Sequence, residues 1–297
     1  MSKLPILEPV PDQAANQALD IQHDTDPAQD HGPARRIPHL GHATLFFSIA
    51  IFMYLVSAAI ILSAAHIHTD AQAMQHLGLQ LLAQVMAYVF TLAFSAWVFS
   101  RIWSKPFLTG IEWNFLGVRR RWFWIIPLGV LLSIAAQLAD LHLPEPAKSP
   151  LEAFFRTPLN AWLLTFCGVL IFPLMEEVAF RGFLLPAFAT AYDWLALDRT
   201  PAGLRRWEMS ALHSIPALVF ASVFSSFGFA LMHGDQLSFS LGFLAVLFVV
   251  SLVFSWVRIK AHSLAASVLL HATYNLTTFA TAFIASGGYR HLDRLSK

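Results

Sequence analysis

Residues 37–69, IPHLGHATLFFSIAIFMYLVSAAIILSAAHIHT, contain no Asp, Glu, Lys or Arg and are apolar for most of their length. About 20 apolar residues suffice to cross a hydrocarbon layer of roughly 30 Å, so the stretch reads as a membrane span. The same reading extends outward along the chain. Six further runs, 71–100, 122–139, 157–175, 209–234, 236–257 and 261–289, also lack those four residue types. Of the 297 residues, 57% are hydrophobic and 12% charged, and the mean hydropathy is +0.58. Soluble domains carry about 25% charged residues, so this balance argues against a soluble enzyme, a nucleic-acid binder and a disulfide-rich secreted domain. The formal charge of +1 carries no message about an anionic partner. The one cysteine, Cys167, cannot form an internal disulfide and reads as a small packing residue.

The pattern predicts an all-α, polytopic transmembrane helix bundle of about seven or eight spans. The expected spans are 42–65, 76–100, 122–139, 159–180, 210–233, 236–257 and 263–285. A short apolar stretch at 182–197 is expected to form a separate half-helix along the interface. Residues 1–40, punctuated by Pro9, Pro11, Pro27, Pro33 and Pro38 and carrying five Asp, are expected to be a disordered polar tail. The membrane domain is expected over 41–286, with a polar C-terminal tail at 287–297. The first thirty residues hold no apolar core, so the first span is expected to act as its own insertion signal.

Lys and Arg set orientation because translocating them is disfavoured. With the N-terminus inside, thirteen of them fall on the inner side and five on the outer, which predicts a cytoplasmic N-terminus, and the expected location is a bacterial inner membrane. Arg290, Arg294 and Lys297 lie on the outer side in a seven-span count, which leaves an eighth crossing or a re-entrant segment open. The piece 101–121 interleaves Trp103, Phe107, Trp113 and Phe115 with Arg101, Lys105 and the run Arg119, Arg120, Arg121. Indoles and cations belong at the headgroup level, so this piece reads as an interfacial anchor, with a lipid-headgroup docking surface as the alternative.

Ionisable groups inside apolar spans cost several kcal/mol unless paired or hydrated, and so mark functional sites. Three clusters qualify. Glu176 and Glu177 are followed by Arg181 at the end of the fourth span. Glu177 and Arg181, four apart, share a helix face, while Glu176 is turned about 100° away. Glu177 is therefore the expected partner of Arg181, and Glu176 the freer carboxylate. His233 closes a span that also carries Phe229, Ser222, Ser225 and Ser226, and the serines read most simply as packing residues. His271 and Asn275, four apart, present polar ends to one face of the last span.

A carboxylate, two imidazoles and a carboxamide from three spans make a polar chamber suited to hydrolysis. A desolvated glutamate can act as general base on water, a histidine can relay the proton, and Asn with a second imidazole can stabilise an oxyanion. Alternatively, Glu176, His233 and His271 supply the donor set of a catalytic zinc with one open position. Spacing does not choose between these. The chain has no H-E-x-x-H, G-x-S-x-G or glycine-rich phosphate-loop motif.

The order E-E-x-x-x-R, F-x-x-x-H, H-x-x-x-N, formed by Glu176, Glu177 and Arg181, by Phe229 and His233, and by His271 and Asn275, resembles the CPBP (Abi) intramembrane proteases. That family includes the type II CAAX prenyl endopeptidases and bacteriocin-processing or immunity proteins. The resemblance covers about residues 160–280. It implies a membrane enzyme cutting peptide bonds of membrane-associated substrates, prenylated CAAX-type or bacteriocin- and signal-type, in a cavity open to the cytoplasmic side. Carried over, Glu176 and His233 activate water, His271 and Asn275 stabilise the oxyanion, and Glu177 and Arg181 support them. No cofactor is expected, with zinc at Glu176, His233 and His271 left open. The expected partners are a peptide or protein substrate and the bilayer, with no nucleic acid. The alternatives are a catalytically silent scaffold or immunity protein using the same cavity, and a transporter using the chamber as an ion relay.

Overall fold

A computed structural model describes residues 36–69, 72, 76–144 and 150–296. Up to residue 35, the expected N-terminal tail lies outside them. Seven helices among the described residues are long and apolar enough to cross a membrane. In chain order they are α1 (Leu40–Ala64), α2 (Leu77–Trp103), α3 (Trp122–Asp140), α4 (Pro158–Leu195), and, after a shorter helix, α6 (Ile215–Met232), α7 (Leu241–Ala261) and α8 (Leu264–Ala285). The shorter helix, α5 (Pro201–Met209), belongs to a separate compact unit with residues 199–211. It opens on Thr200, whose side-chain oxygen accepts from the Gly203 amide at 3.2 Å, and Pro201, whose fixed φ suits a first turn. Its composition is polar, with Arg205, Arg206 and Glu208 around Trp207.

The spans turn large apolar side chains outward. Ile51, Phe52, Leu131 and Leu159 are each more than half exposed. Such faces are costly in water and suit lipid, which makes the chain an integral multi-pass membrane protein. Burial singles out α4: half of its most apolar window is covered by protein, against 17% for α1 and α8. It is the central helix, and it carries Glu176, Glu177 and Arg181.

One expectation is corrected here. The separate half-helix at 182–197 does not form; residues up to Leu195 continue α4. Pro186 has no N–H and would break an α-helical ladder. The backbone avoids the break by widening to a π-helix over Val178–Leu184, in which the Leu185 amide reaches back to the Phe180 carbonyl. Pro186 then falls in the first turn of the next α-segment, where its missing N–H is tolerated.

The connections pin the bundle. Ser104, at φ 55°, ends α2, and the 107–119 segment folds across the α7–α8 turn. There Arg258 bonds Glu112 at 2.8 Å, Leu264 N donates to Glu112 O at 3.0 Å, and Ser263 Oγ donates to Asn114 O at 2.6 Å. Gly129 lets α3 and α8 approach closely, since a Cβ there would stand 3.0 Å from the Leu270 carbonyl. Past α8, Gly287 and Gly288 adopt positive φ and return the chain so that Tyr289 is buried. The Tyr289 hydroxyl meets Thr165 Oγ1 at 2.7 Å, so the segment expected as a C-terminal tail starts with a packed turn.

Candidate active site

Two prolines shape the helix that supplies the carboxylates. Before Pro173, residues Cys167–Ile171 form a first π-helical segment, with the Phe172 amide bonded to Cys167 O. A regular α-segment, Phe172–Glu177, follows, and then the π-segment that contains Arg181. π-segments inside α-helices concentrate at functional sites, and here they bracket Glu176 and Glu177.

Glu177 and Arg181 form an ion pair at 3.0 Å with neither side chain exposed. The pair is wrapped in further hydrogen bonds, as a buried charge pair needs. Arg181 Nη2 donates to Ser251 O at 2.6 Å and to Ser251 Oγ, and Nε donates to Ser255 Oγ at 3.4 Å. The guanidinium also lies over the rings of Phe229, at 4.9 Å, and Phe254, at 5.4 Å. Glu177 accepts from Ser267 Oγ and pairs with His271 Nδ1 at 3.0 Å. All three guanidinium nitrogens and both carboxylate oxygens thus meet a partner from α4, α7 or α8.

Glu176 points elsewhere. Its Oε2 stands 3.7 Å from His271 Nε2 and 3.9 Å from His233 Nε2. Glu176 and His233 keep 12% and 16% of their side chains exposed, so this group faces an opening whereas the Glu177–Arg181 pair does not. The two imidazoles are anchored from behind. His233 Nδ1 lies 2.9 Å from the Phe229 carbonyl, and His271 Nδ1 lies 3.0 Å from Glu177. A carbonyl and an ion-paired carboxylate can only accept, so each Nδ1 carries a proton and each Nε2 of a neutral ring offers a lone pair towards Glu176. The gaps of 3.7 and 3.9 Å are too wide for direct hydrogen bonds and too narrow for a water on the line between the atoms, so a water shared with Glu176 would lie to one side of each line.

The same atoms are the donor set considered for zinc. Both histidines have the outer hydrogen bond that metal-bound histidines use. Ligand atoms on a tetrahedral zinc stand roughly 3.3–3.4 Å apart, given bonds of about 2.0–2.1 Å. The Glu176–imidazole distances are a few tenths of an ångström longer, and among the described residues no group of three or more His, Cys, Asp and Glu has metal-holding geometry.

Of the residues singled out in the sequence, Glu176, Glu177, Arg181, His233 and His271 come together. Asn275 shares the α8 face with His271, but its Nδ2 donates at 2.6 Å to the Gly168 carbonyl in the first π-segment. Several contributors escaped the sequence reading. Ser251 and Ser255, and likewise Ser267 and His271, are four apart, and that repeat within aliphatic helices was the available signal. Ser225 and Ser226, read as packing residues, make cross-helix contacts, to Phe180 O at 3.1 Å and to Ser255 Oγ at 3.4 Å. From α2, Tyr88 packs edge-on to Phe172 at 5.9 Å, one turn before Glu176, and its oxygen accepts from Gln84 Nε2 at 2.9 Å.

Comparison with known proteins adds one match. Residues 158–277 match the family model described as type II CAAX prenyl endopeptidase Rce1-like, a segment that contains every residue of the chamber named from α4, α6, α7 and α8. No curated protein and no solved structure matches the chain.

Proposed function

From the match of residues 158–277 to the family model described as type II CAAX prenyl endopeptidase Rce1-like, we propose that this chain hydrolyses peptide bonds with a water held by Glu176 and His233, and with His271 facing the oxyanion. The family is one of intramembrane CAAX-type peptidases, and a member acts on a membrane-associated peptide in a lipid environment. What carries the finer reading is the convergence of His233 Nε2 and His271 Nε2 on Glu176 Oε2, with both rings fixed through Nδ1.

Charge balance supports the roles. Glu177 and Arg181 cancel, so one proton on Glu176 or on an imidazole leaves the chamber neutral, and an uncompensated buried charge is strongly disfavoured. With that proton on an imidazole, Glu176 is a carboxylate ready to act as base. Glu176 takes a proton from water as the water oxygen attacks the substrate carbonyl, with His233 holding the water. The N–H of protonated His271 meets the oxyanion, backed by Glu177 through Nδ1. Glu176 then returns its proton to the leaving amine, and the carbon–nitrogen bond breaks.

Prenylated CAAX-type peptides are the first substrate class to test, with bacteriocin- and signal-type peptides second. The contact between Glu112 and Arg258 supports a shared membrane side for two of the basic segments, and the disfavoured translocation of Lys and Arg makes that side the cytoplasm, with a cytoplasmic N-terminus; a bacterial inner membrane is the location proposed. The test is incubation of detergent-purified protein with a quenched prenylated peptide and its unprenylated counterpart, with products identified by mass. Cleavage at one internal peptide bond is expected. Intact peptides across all substrate classes would instead favour the silent scaffold.

A further inference from the structure

We infer that Tyr88 is a substrate-binding residue: its hydroxyl donates a hydrogen bond to a backbone carbonyl of the peptide held beside Glu176, at a residue other than the one whose bond is cut. Tyrosine in a membrane protein gathers at the two interfaces, where its hydroxyl meets water. Tyr88 instead stands near the middle of α2 (Leu77–Trp103), in a span with no charged residue before Arg101. A phenol at that depth needs partners. Gln84, one turn back, supplies one of them, its Nε2 donating to the Tyr88 oxygen at 2.9 Å. An amide nitrogen can only donate, so the hydroxyl proton is left over, and it has no acceptor among the described residues.

The packing puts that proton on the side of Glu176. Leu81 and Val85 seat α2 on α4 in one cluster with Leu164, Cys167 and Phe172, and the Tyr88 ring lies edge-on to Phe172 at 5.9 Å. Phe172 and Glu176 are four apart in a single α-segment, Phe172–Glu177, so their side chains leave α4 on one face. The charge of Glu176 also acts on the Tyr88 hydroxyl through space. Tyr88 is neither fully buried nor exposed, which keeps the hydroxyl within reach of a ligand. A peptide drawn into the chamber loses the water on its carbonyls, and a carbonyl left bare costs free energy. Other polar groups of the chamber are committed, Arg181 and Ser267 to Glu177, His233 to the water and His271 to the oxyanion. Tyr88 brings a donor from α2, outside the segment that matches the family model.

The kinetic form of this inference rests on the peptidase reading. The test compares wild type with Tyr88→Phe in the full chain, on the prenylated peptide and on versions of it in which one carbonyl at a time, away from the bond cut, is a thioamide, whose sulfur is a weaker acceptor. Tyr88→Phe keeps the ring on Phe172, so the thermal midpoint in detergent should move by no more than a few degrees. KM should rise about tenfold with kcat within about twofold, because the lost hydrogen bond is made equally in the ground and transition states. At one position the thioamide should raise KM for wild type and leave Tyr88→Phe unchanged, which locates the accepting carbonyl. An unchanged KM for Tyr88→Phe, or no position that behaves in this way, would overturn the inference. A fall in kcat with KM unchanged would overturn it too, placing Tyr88 on the reacting atoms. If Tyr88→Phe fails to accumulate, Gln84→Leu decides, since it removes the group that orients the hydroxyl: a rise in KM of about threefold or more at an unaltered midpoint supports the inference, and an unchanged KM refutes it. If the wild type binds the peptides without cutting them, the peptidase reading fails, and the Kd from fluorescence anisotropy takes the place of KM in the same comparison. Prenylated, bacteriocin-type and signal-type peptides all neither bound nor cut would overturn both.

Discussion

Replacing Arg181 by methionine removes the cation that bonds Glu177, Ser251 and Ser255 in a site with no exposed side-chain surface. Glu177 would retain Ser267 and His271, but its charge would lose its only fully buried counter-ion among the described residues. Breaking a buried pair from one side costs about 3–5 kcal/mol. At about 1.4 kcal/mol per decade, that lowers the folded-to-unfolded ratio roughly 10²- to 10⁴-fold. Glu177→Gln should cost a comparable amount, because it strands the guanidinium. The double variant Glu177→Gln/Arg181→Met removes both charges and should cost less than the sum of the singles by at least about 2 kcal/mol. Equilibrium unfolding in mixed micelles of rising SDS fraction, followed by tryptophan fluorescence, measures all four proteins. An Arg181→Met cost below about 1 kcal/mol, or simple additivity, would refute the account of the pair as a coupled structural unit.

Two further outcomes follow from the chamber. Ser267→Ala removes one hydroxyl from Glu177 but leaves the ion pair and His271 in place, so it should cost about 1–3 kcal/mol in the same unfolding assay and leave KM unchanged. A loss as large as that of Arg181→Met would mean that Ser267 carries more of the site than one hydrogen bond. With Glu176 as base, treatment with a strong zinc chelator followed by desalting should leave peptide cleavage intact; loss of activity that added zinc restores would establish the metal reading instead.

Much of this architecture was legible because the bilayer sorts residues by charge. The charge-free runs located all seven spans, and α1, α3 and α8 begin and end within two residues of the expected limits. α6 starts at Ile215 rather than 210, because Ser214 caps it and Pro216 sits in its first turn. The continuity of α4 was not legible. Proline reads locally as a breaker, and the accommodation of Pro173 and Pro186 depends on two π-segments with carbonyls that take donors from other helices, Asn275 for Gly168 in the first and Ser225 for Phe180 in the second. Helical spacing did assign Arg181 to Glu177, since i,i+4 proximity is a local property. It could not say that Asn275 would spend its amide on Gly168, 107 residues away, or that serines of α7 would surround the guanidinium. Composition reports the solvent that a side chain meets, and only the packed structure reports its neighbour.

The central claim is that Glu176 activates the hydrolytic water. Its most direct test compares wild type and Glu176→Gln, matched for thermal midpoint, on a prenylated peptide in water enriched in oxygen-18. The account predicts one heavy oxygen in the new carboxylate from the wild type and a loss of at least about 10²-fold in rate for the variant. A Glu176→Gln protein that cleaves at the wild-type rate would contradict it.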